Sequence, residues 1–111
     1  MENKMARKRM VQPSASYKQE LLKRLKNPKL AEEYLAAALE DTKNPEVFPL
    51  AVRDVAEAHG MGMTSLAHKT KMDRVNLYRV LGTKGNPKLN SLNSILSTLG
   101  FALTVRLKKA S

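Results

Sequence analysis

The stretch "MTSLAHKTKMDRVNLYRVLG", residues 63–82, carries side chains with the chemistry to read a nucleic acid. Arg74, Val75, Tyr78 and Arg79 follow at i, i+1, i+4 and i+5 spacing, which places them on one face of a helix. An arginine guanidinium is a planar fork of donors that matches O6 and N7 of guanine, and a tyrosine can contact a phosphate or a thymine methyl. These four residues are therefore candidates for reading bases in a major groove. A solvated basic helix face is the alternative.

Two short helices around a turn would hold this face in place. Thr64 is expected to cap a first helix that ends at Thr70, and Asp73 to cap a second helix. The inward side chains are Leu66 and Ala67 on the first helix and Leu77, Val80 and Leu81 on the second. This spacing predicts a helix-turn-helix over residues 63–82.

Further polar and basic residues are candidates for contacts to phosphates, which set register but not sequence preference. They are Thr64, Lys71, Asn76, Lys84 and Lys88. Residues 1–16 are basic and show no periodicity, so we expect a flexible arm there. The arm either also touches phosphate or is only solvated.

Periodic apolar residues predict helices on both sides of the helix-turn-helix. The predicted helices run from Tyr17 to about Asn27, from Pro28 through Leu39 with Asn27 as its cap, from Asn44-Pro45 to about His59, and from Leu89 to Leu99. Together with residues 63–82 they predict a mainly α fold of five to six helices.

The C-terminal residues alternate in character. Leu103, Val105 and Leu107 fall on one side of an extended chain, which predicts a β-strand over residues 102–108. We find no second strand in the sequence to pair with it. We therefore expect this strand to pair with its copy across the two-fold axis of a homodimer. A frayed tail is the alternative.

The charge of the chain is strongly positive and unevenly distributed. The 111 residues include 20 Lys and Arg against 10 Asp and Glu, a net of +10. Residues 1–57 hold 11 basic and 9 acidic residues, a net of +2, whereas residues 58–111 hold 9 basic residues and only Asp73, a net of +8. Such a chain favours a nucleic acid or an anionic membrane surface as its partner, and we predict no membrane partner because the basic residues do not back one long apolar helix face. The length predicts a single helical domain over residues 17–111.

Several classes of protein are disfavoured. The absence of cysteine excludes disulfides and thiolate metal sites and suits the cytoplasm, and no apolar run approaches the roughly 18 residues of a membrane span. His59 and His68 are the only histidines and lie on separate predicted helices. With no phosphate-cradling glycine loop or metal spacing, we predict no enzyme, cofactor or metal. A basic RNA-binding module remains an alternative, although 5% aromatic residues leave little for base stacking.

Three quoted pieces, "AVRDVAEAHG", "LYRVLG" and "GNPKLNSL", occur in an order that is specific when taken together. With the residues around them, from 17 to about 107, the chain resembles the addiction-module antidote family. These are the HigA-like antitoxins with a lambda-repressor/Cro-type helix-turn-helix. The resemblance implies a dimeric repressor that binds the promoter of its own operon and neutralises a small co-encoded toxin, usually a RelE-type ribonuclease.

The resemblance also assigns positions on this chain. It places the reading helix over residues 73–81, with Arg74, Val75, Tyr78 and Arg79 facing the bases. One departure concerns the turn, where the family usually has glycine and this chain has Lys71. Either Lys71 takes a left-handed backbone, which costs on the order of 1 kcal/mol, or the turn has a different shape.

A surface for a toxin is less sharply marked. Residues 32–57 contain seven acidic residues and only two basic ones, which suits a basic toxin. The residues expected to face it are Glu32, Glu33, Glu40 and Asp41. Ordinary solvated helix faces explain the same residues equally well. A solitary phage or host repressor, with the same fold and no toxin, is the remaining alternative.

Overall fold

Six α-helices form the regular structure of residues 15–82 and 87–108, the ranges that a computed structural model describes. Their bounds are α1 Ala15–Leu25, α2 Pro28–Glu40, α3 Val47–Ala58, α4 Met63–Thr70, α5 Arg74–Val80 and α6 Leu89–Thr98. Helices α1 and α2 pack on each other and on α3, while α4 packs on α5 and α6. The number of helices agrees with the prediction.

The core forms because one face of each helix carries apolar side chains at three-to-four spacing. Val52 and Val55 of α3 are completely buried, as are Leu66 of α4, Leu77 of α5 and Ile95 of α6. Burying an aliphatic side chain of this size contributes about 1.5–3 kcal/mol to folding. The inward face of α5 is therefore fixed, and its opposite face is left to solvent.

A polar cluster ties the first three helices together. Tyr34 of α2 donates its hydroxyl hydrogen to Asp54 Oδ2 of α3 at 2.7 Å. Lys18 of α1 places its Nζ 3.3 Å from Asp54 Oδ1 and 3.4 Å from Glu57 Oε1. Burial and the hydrogen bond to Asp54 raise the pKa of Tyr34. Burial alone would lower the pKa of Lys18, but the two carboxylates outweigh it and the pKa is raised.

The start of α2 confirms the cap predicted from the sequence. Asn27 Oδ1 accepts hydrogen bonds from the backbone N–H of Lys29 at 2.9 Å and of Leu30 at 3.3 Å. These bonds satisfy N–H groups that have no partner within the helix. Helix α1 begins at Ala15, two residues before the predicted start at Tyr17.

Two other helix starts differ from the prediction. Thr64 does not cap α4; the N-cap is Gly62, whose carbonyl accepts the Leu66 N–H at 2.9 Å, so Thr64 lies inside the first turn. Helix α3 begins at Val47 and not directly after Asn44-Pro45. The Asn44 N–H donates instead to Asp41 Oδ1 at 3.2 Å, and this hydrogen bond holds the segment before α3 in a turn.

The predicted C-terminal strand is wrong. No β-strand occurs among residues 15–82 and 87–108, and residues 102–108 have no regular structure. Leu103 packs against the core, whereas Val105 and Leu107 are 97% and 94% exposed. A strand needs both an alternating pattern of side chains and a second strand to hydrogen-bond with its backbone. Residues 102–108 have the pattern, but within the described residues no extended segment offers them that second strand.

None of the described helices is both long and apolar enough to cross a membrane.

Candidate nucleic-acid interface

The outward face of α5 carries the four residues that the sequence singled out for base reading. Val75 is 71% exposed and Tyr78 is 44% exposed, and the side chains of Arg74 and Arg79 are also exposed. The buried Leu77 lies on the other side of the same helix. The packing of α5 therefore presents two guanidinium groups, an aromatic ring and an aliphatic side chain on one surface.

Asp73 holds the first turn of this helix. Its Oδ1 accepts a hydrogen bond from the Asn76 N–H at 2.7 Å, and its own backbone is extended, as an N-cap requires. The carboxylate also complements the positive end of the helix dipole. Arg74 and Val75 therefore start the helix in a defined orientation.

Lys71 connects α4 to α5 in a left-handed conformation, with φ 62° and ψ 27°. The N–H of Met72 donates to the Ala67 carbonyl at 3.1 Å, which closes the end of α4. Helices α3 and α6 end in the same way with glycine at this position, Gly60 and Gly100. Of the two alternatives left open by the sequence, the left-handed turn is the one adopted.

A groove of about 250 Å³ lies beside α5 where α6 begins. Asn76, Arg79 and Val80 line it from α5, and Pro87, Lys88 and Ser91 line it from the other side. Lys88 is the N-cap of α6, and within the described residues no side chain caps that helix end. The groove offers an amide, a hydroxyl and two cations, donors suited to an oxyanion.

Sequence reasoning missed three residues of this region. Pro87 and Ser91 line the groove, but nothing in their local sequence marks them, because the groove depends on how α5 and α6 pack. Gly82 follows α5, and a Cβ placed there would lie 2.9 Å from the Tyr78 carbonyl oxygen. The glycine in "LYRVLG" therefore allows the chain to turn tightly against the last turn of α5.

The remaining predicted residues are spread over the molecule. Thr64 is exposed on α4, and Lys84 and residues 1–14 lie outside the described residues. Glu32, Glu33 and Glu40 are exposed on α2, away from α5 in the packing order. Asp41 is the C-cap of α2, and its carboxylate binds the side chain and the N–H of Asn44.

Comparison with known families decides the class of this chain. Residues 16–107 match the family model described as probable addiction module antidote protein. The chain belongs to this antidote family. Neither the curated proteins nor the solved structures include a significant match to the chain. Membership of the antidote family implies a toxin as partner, and the exposed face of α5 is a separate feature that this partner does not by itself explain.

Proposed function

We propose that this antidote is the antitoxin of a type II toxin-antitoxin operon and represses that operon by binding duplex DNA. In this proposal α4 and α5 form a lambda-repressor/Cro-type helix-turn-helix of the HigA-like kind, within one domain over residues 17–111. The observation that carries the proposal is the outward face of α5, where Arg74, Val75, Tyr78 and Arg79 are exposed together. This face is rigid because Leu77 is buried behind it.

The proposed contacts fall into two groups. The four residues of the α5 face read base edges in the major groove, where arginine selects guanine and Val75 offers an apolar contact to thymine. The phosphate backbone is held by Thr64, Lys71, Asn76, Lys84 and Lys88. Asn76 and Lys88 line one groove with Arg79, which supports a phosphate at that place beside the reading helix.

The proposed functional unit is a homodimer. A two-fold axis would present two copies of α5 to half-sites about 34 Å apart, one turn of DNA. A palindromic site in the promoter would be the corresponding feature of the DNA.

The proposed toxin is a small basic RelE-type ribonuclease that docks on the acidic side of α2. Glu32, Glu33 and Glu40 are exposed there and Asp41 ends the helix, so the surface has the opposite sign to a basic partner. The family favours this antitoxin role over a solitary repressor or an RNA-binding module. It also favours a binding protein over an enzyme.

The test of DNA recognition is fluorescence anisotropy of the purified protein on duplex DNA from directly upstream of its gene. A scrambled duplex of the same composition is the control, and both are titrated across a salt series. We expect the native duplex to keep its advantage as salt rises, because base contacts release fewer counterions than phosphate contacts. Equal binding that is lost equally with salt would contradict sequence-specific recognition.

The test of the antitoxin role uses the neighbouring reading frame. Expression of its product alone should arrest growth, and co-expression of this chain should restore it. A neighbouring product that is harmless, or whose toxicity this chain does not relieve, would contradict the role.

A further inference from the structure

A second groove, of about 360 Å³, lies between α1 and α2 on a part of the molecule that the proposed DNA contacts do not use. Tyr17, Leu21, Leu30 and Tyr34 give it an aromatic and aliphatic lining. Charged side chains flank this lining, Arg24 from α1 and Glu33 from α2. The groove is therefore suited to an extended apolar segment that also carries charge.

The C-terminal segment of the chain has this character. After Leu103, which packs on the core, Val105 and Leu107 are almost fully exposed and alternate with Arg106 and Lys108. Two aliphatic side chains held in water lack the stabilisation that burial would give them. Their exposure also shows that this segment does not occupy the groove of its own chain.

The charges of the two features are complementary. Glu33 borders the groove on the α2 side, whereas Glu32 and Glu40, which are exposed on the same helix, do not line it. The C-terminal segment is basic through Arg106 and Lys108. The groove lining holds one charge of each sign, so the complementarity is limited to the α2 wall: Arg24 on the α1 wall repels these cations and the segment is expected to lie along α2.

We propose that the C-terminal segment of one copy docks in the α1–α2 groove of a second copy, reciprocally, and that this exchange is the dimer interface of the antitoxin. Val105 and Leu107 enter the groove, and the basic side chains of Arg106 and Lys108, which alternate with them, contact the acidic wall of α2. The contact is made by side chains and needs no strand pairing. This inference rests on the homodimer of the proposed function.

The reach of the segment is sufficient. The five residues after Leu103, 104–108, extend over about 16 Å at 3.3 Å per residue, compared with molecular extents of 43 × 40 × 28 Å. A segment of this length can cross from one copy to its neighbour. Helix α5 contributes none of the described residues that line the groove, so the exchange leaves its outward face available.

The first experiment measures the dimer dissociation constant of the full chain by sedimentation velocity. The double variant Val105→Asp/Leu107→Asp should raise this constant by about tenfold or more. Both positions are exposed in the single chain, so the fold is expected to survive, and a circular dichroism melt checks this. The control Thr104→Asp/Ala102→Asp adds the same two charges at exposed neighbours that do not enter the groove, so it gives the loss due to charge alone, and Val105→Asp/Leu107→Asp should weaken the dimer further.

The second experiment is a charge exchange. Glu33→Lys and Arg106→Glu/Lys108→Glu should each weaken the dimer, and the variant that combines all three changes should regain the wild-type dissociation constant. Glu32→Lys is the matched control, because Glu32 lies about 100° around α2 from Glu33 and does not line the groove.

The outcomes separate this inference from the proposed function. A dimer unchanged by Val105→Asp/Leu107→Asp, or a combined charge variant as weak as its parents, would overturn the exchange while leaving a homodimer in place. A wild-type chain that is monomeric at every concentration would remove the homodimer and the exchange together. A Glu33→Lys variant that loses toxin binding while its dimer dissociation constant is unchanged would overturn the exchange and leave Glu33 to the proposed toxin surface.

Discussion

Arg79 is the residue whose role has the sharpest test, because it belongs to the exposed face of α5 and also lines the groove with Lys88. If it reads a base, Arg79→Ala should cost about 1–3 kcal/mol and relax specificity at one base pair. Anisotropy with duplexes altered at one position each measures this. The control Arg53→Ala removes an exposed arginine from α3 and should have little effect.

Lys88→Ala should behave differently from Arg79→Ala. Loss of a phosphate contact weakens binding to every duplex and lowers the slope of log affinity against log salt by about 1. If Arg79→Ala gives this uniform pattern, Arg79 belongs to the phosphate groove. An unchanged salt slope for Lys88→Ala would contradict its phosphate contact.

Lys71 combines backbone strain with a charge, and two substitutions separate them. Lys71→Gly should raise the free energy of unfolding by about 0.5–1 kcal/mol, because glycine adopts φ 62° without the strain of a side chain. Lys71→Ala keeps the strain and should leave the stability nearly unchanged. If Lys71 contacts phosphate, both variants should lose DNA affinity equally. Urea denaturation measures the change in stability, and fluorescence anisotropy measures the change in DNA affinity. A wild-type protein that is as stable as Lys71→Gly, or more stable, would contradict backbone strain at Lys71.

At the scale of the element, Gly82 controls how α5 ends. Gly82→Ala places a methyl group 2.9 Å from the Tyr78 carbonyl oxygen, so the chain must shift, at about 1–3 kcal/mol of unfolding free energy. Chemical denaturation measures this loss. The control Gly62→Ser adds a side chain where no described atom lies within 4 Å of the new Cβ, at an N-cap that favours serine. Equal destabilisation by both would contradict a steric cause at Gly82.

Local signals in the sequence predict most of the helices. The features that the sequence does not predict depend on contacts between residues that lie far apart in the chain. Asn27 could be recognised as a cap because the two N–H groups that donate to its Oδ1 lie only two and three residues away. The α5–α6 groove could not be recognised, because only the packing of α5 and α6 brings Ser91 and Asn76 to the same groove. Residues 102–108 show the reverse error, since an alternating pattern does not provide the partner that a strand requires. The exposed face of α5 is an intermediate case: spacing predicts it, and the burial of Leu77 orients it.

At the scale of the whole molecule, the excess of positive charge is separated from the acidic side. Residues 58–111 carry a net of +8 and include α5, whereas the exposed carboxylates of α2 lie in the half with a net of +2. One side of the molecule therefore suits phosphates and another a basic protein segment. In the proposed function, the DNA contacts of α5 and the toxin contacts of α2 share no described residue, so we expect both partners to bind together.

The polar cluster of the first three helices makes the free energy of unfolding depend on pH in the alkaline range. Tyr34 and Lys18 have pKa values raised above their ordinary 10.0 and 10.5, so each binds its proton more tightly in the folded chain. The resulting stability is complete below those ordinary pKa values and is lost as pH rises through the raised ones. The contribution of Tyr34 and Lys18 to the free energy of unfolding should therefore be constant up to about pH 9 and fall above about pH 10.

Tyr34→Phe isolates the tyrosine part of this dependence. The variant should lose about 1 kcal/mol near neutral pH with the hydrogen bond to Asp54, and its stability should then fall less steeply above about pH 10. Urea denaturation of both proteins at a series of pH values gives the two curves. They should converge as pH rises, because the unfolded wild-type chain gains from ionising a hydroxyl that the variant lacks. A difference that stays constant throughout this range would mean that burial and the hydrogen bond to Asp54 do not raise the pKa of Tyr34 in the folded chain.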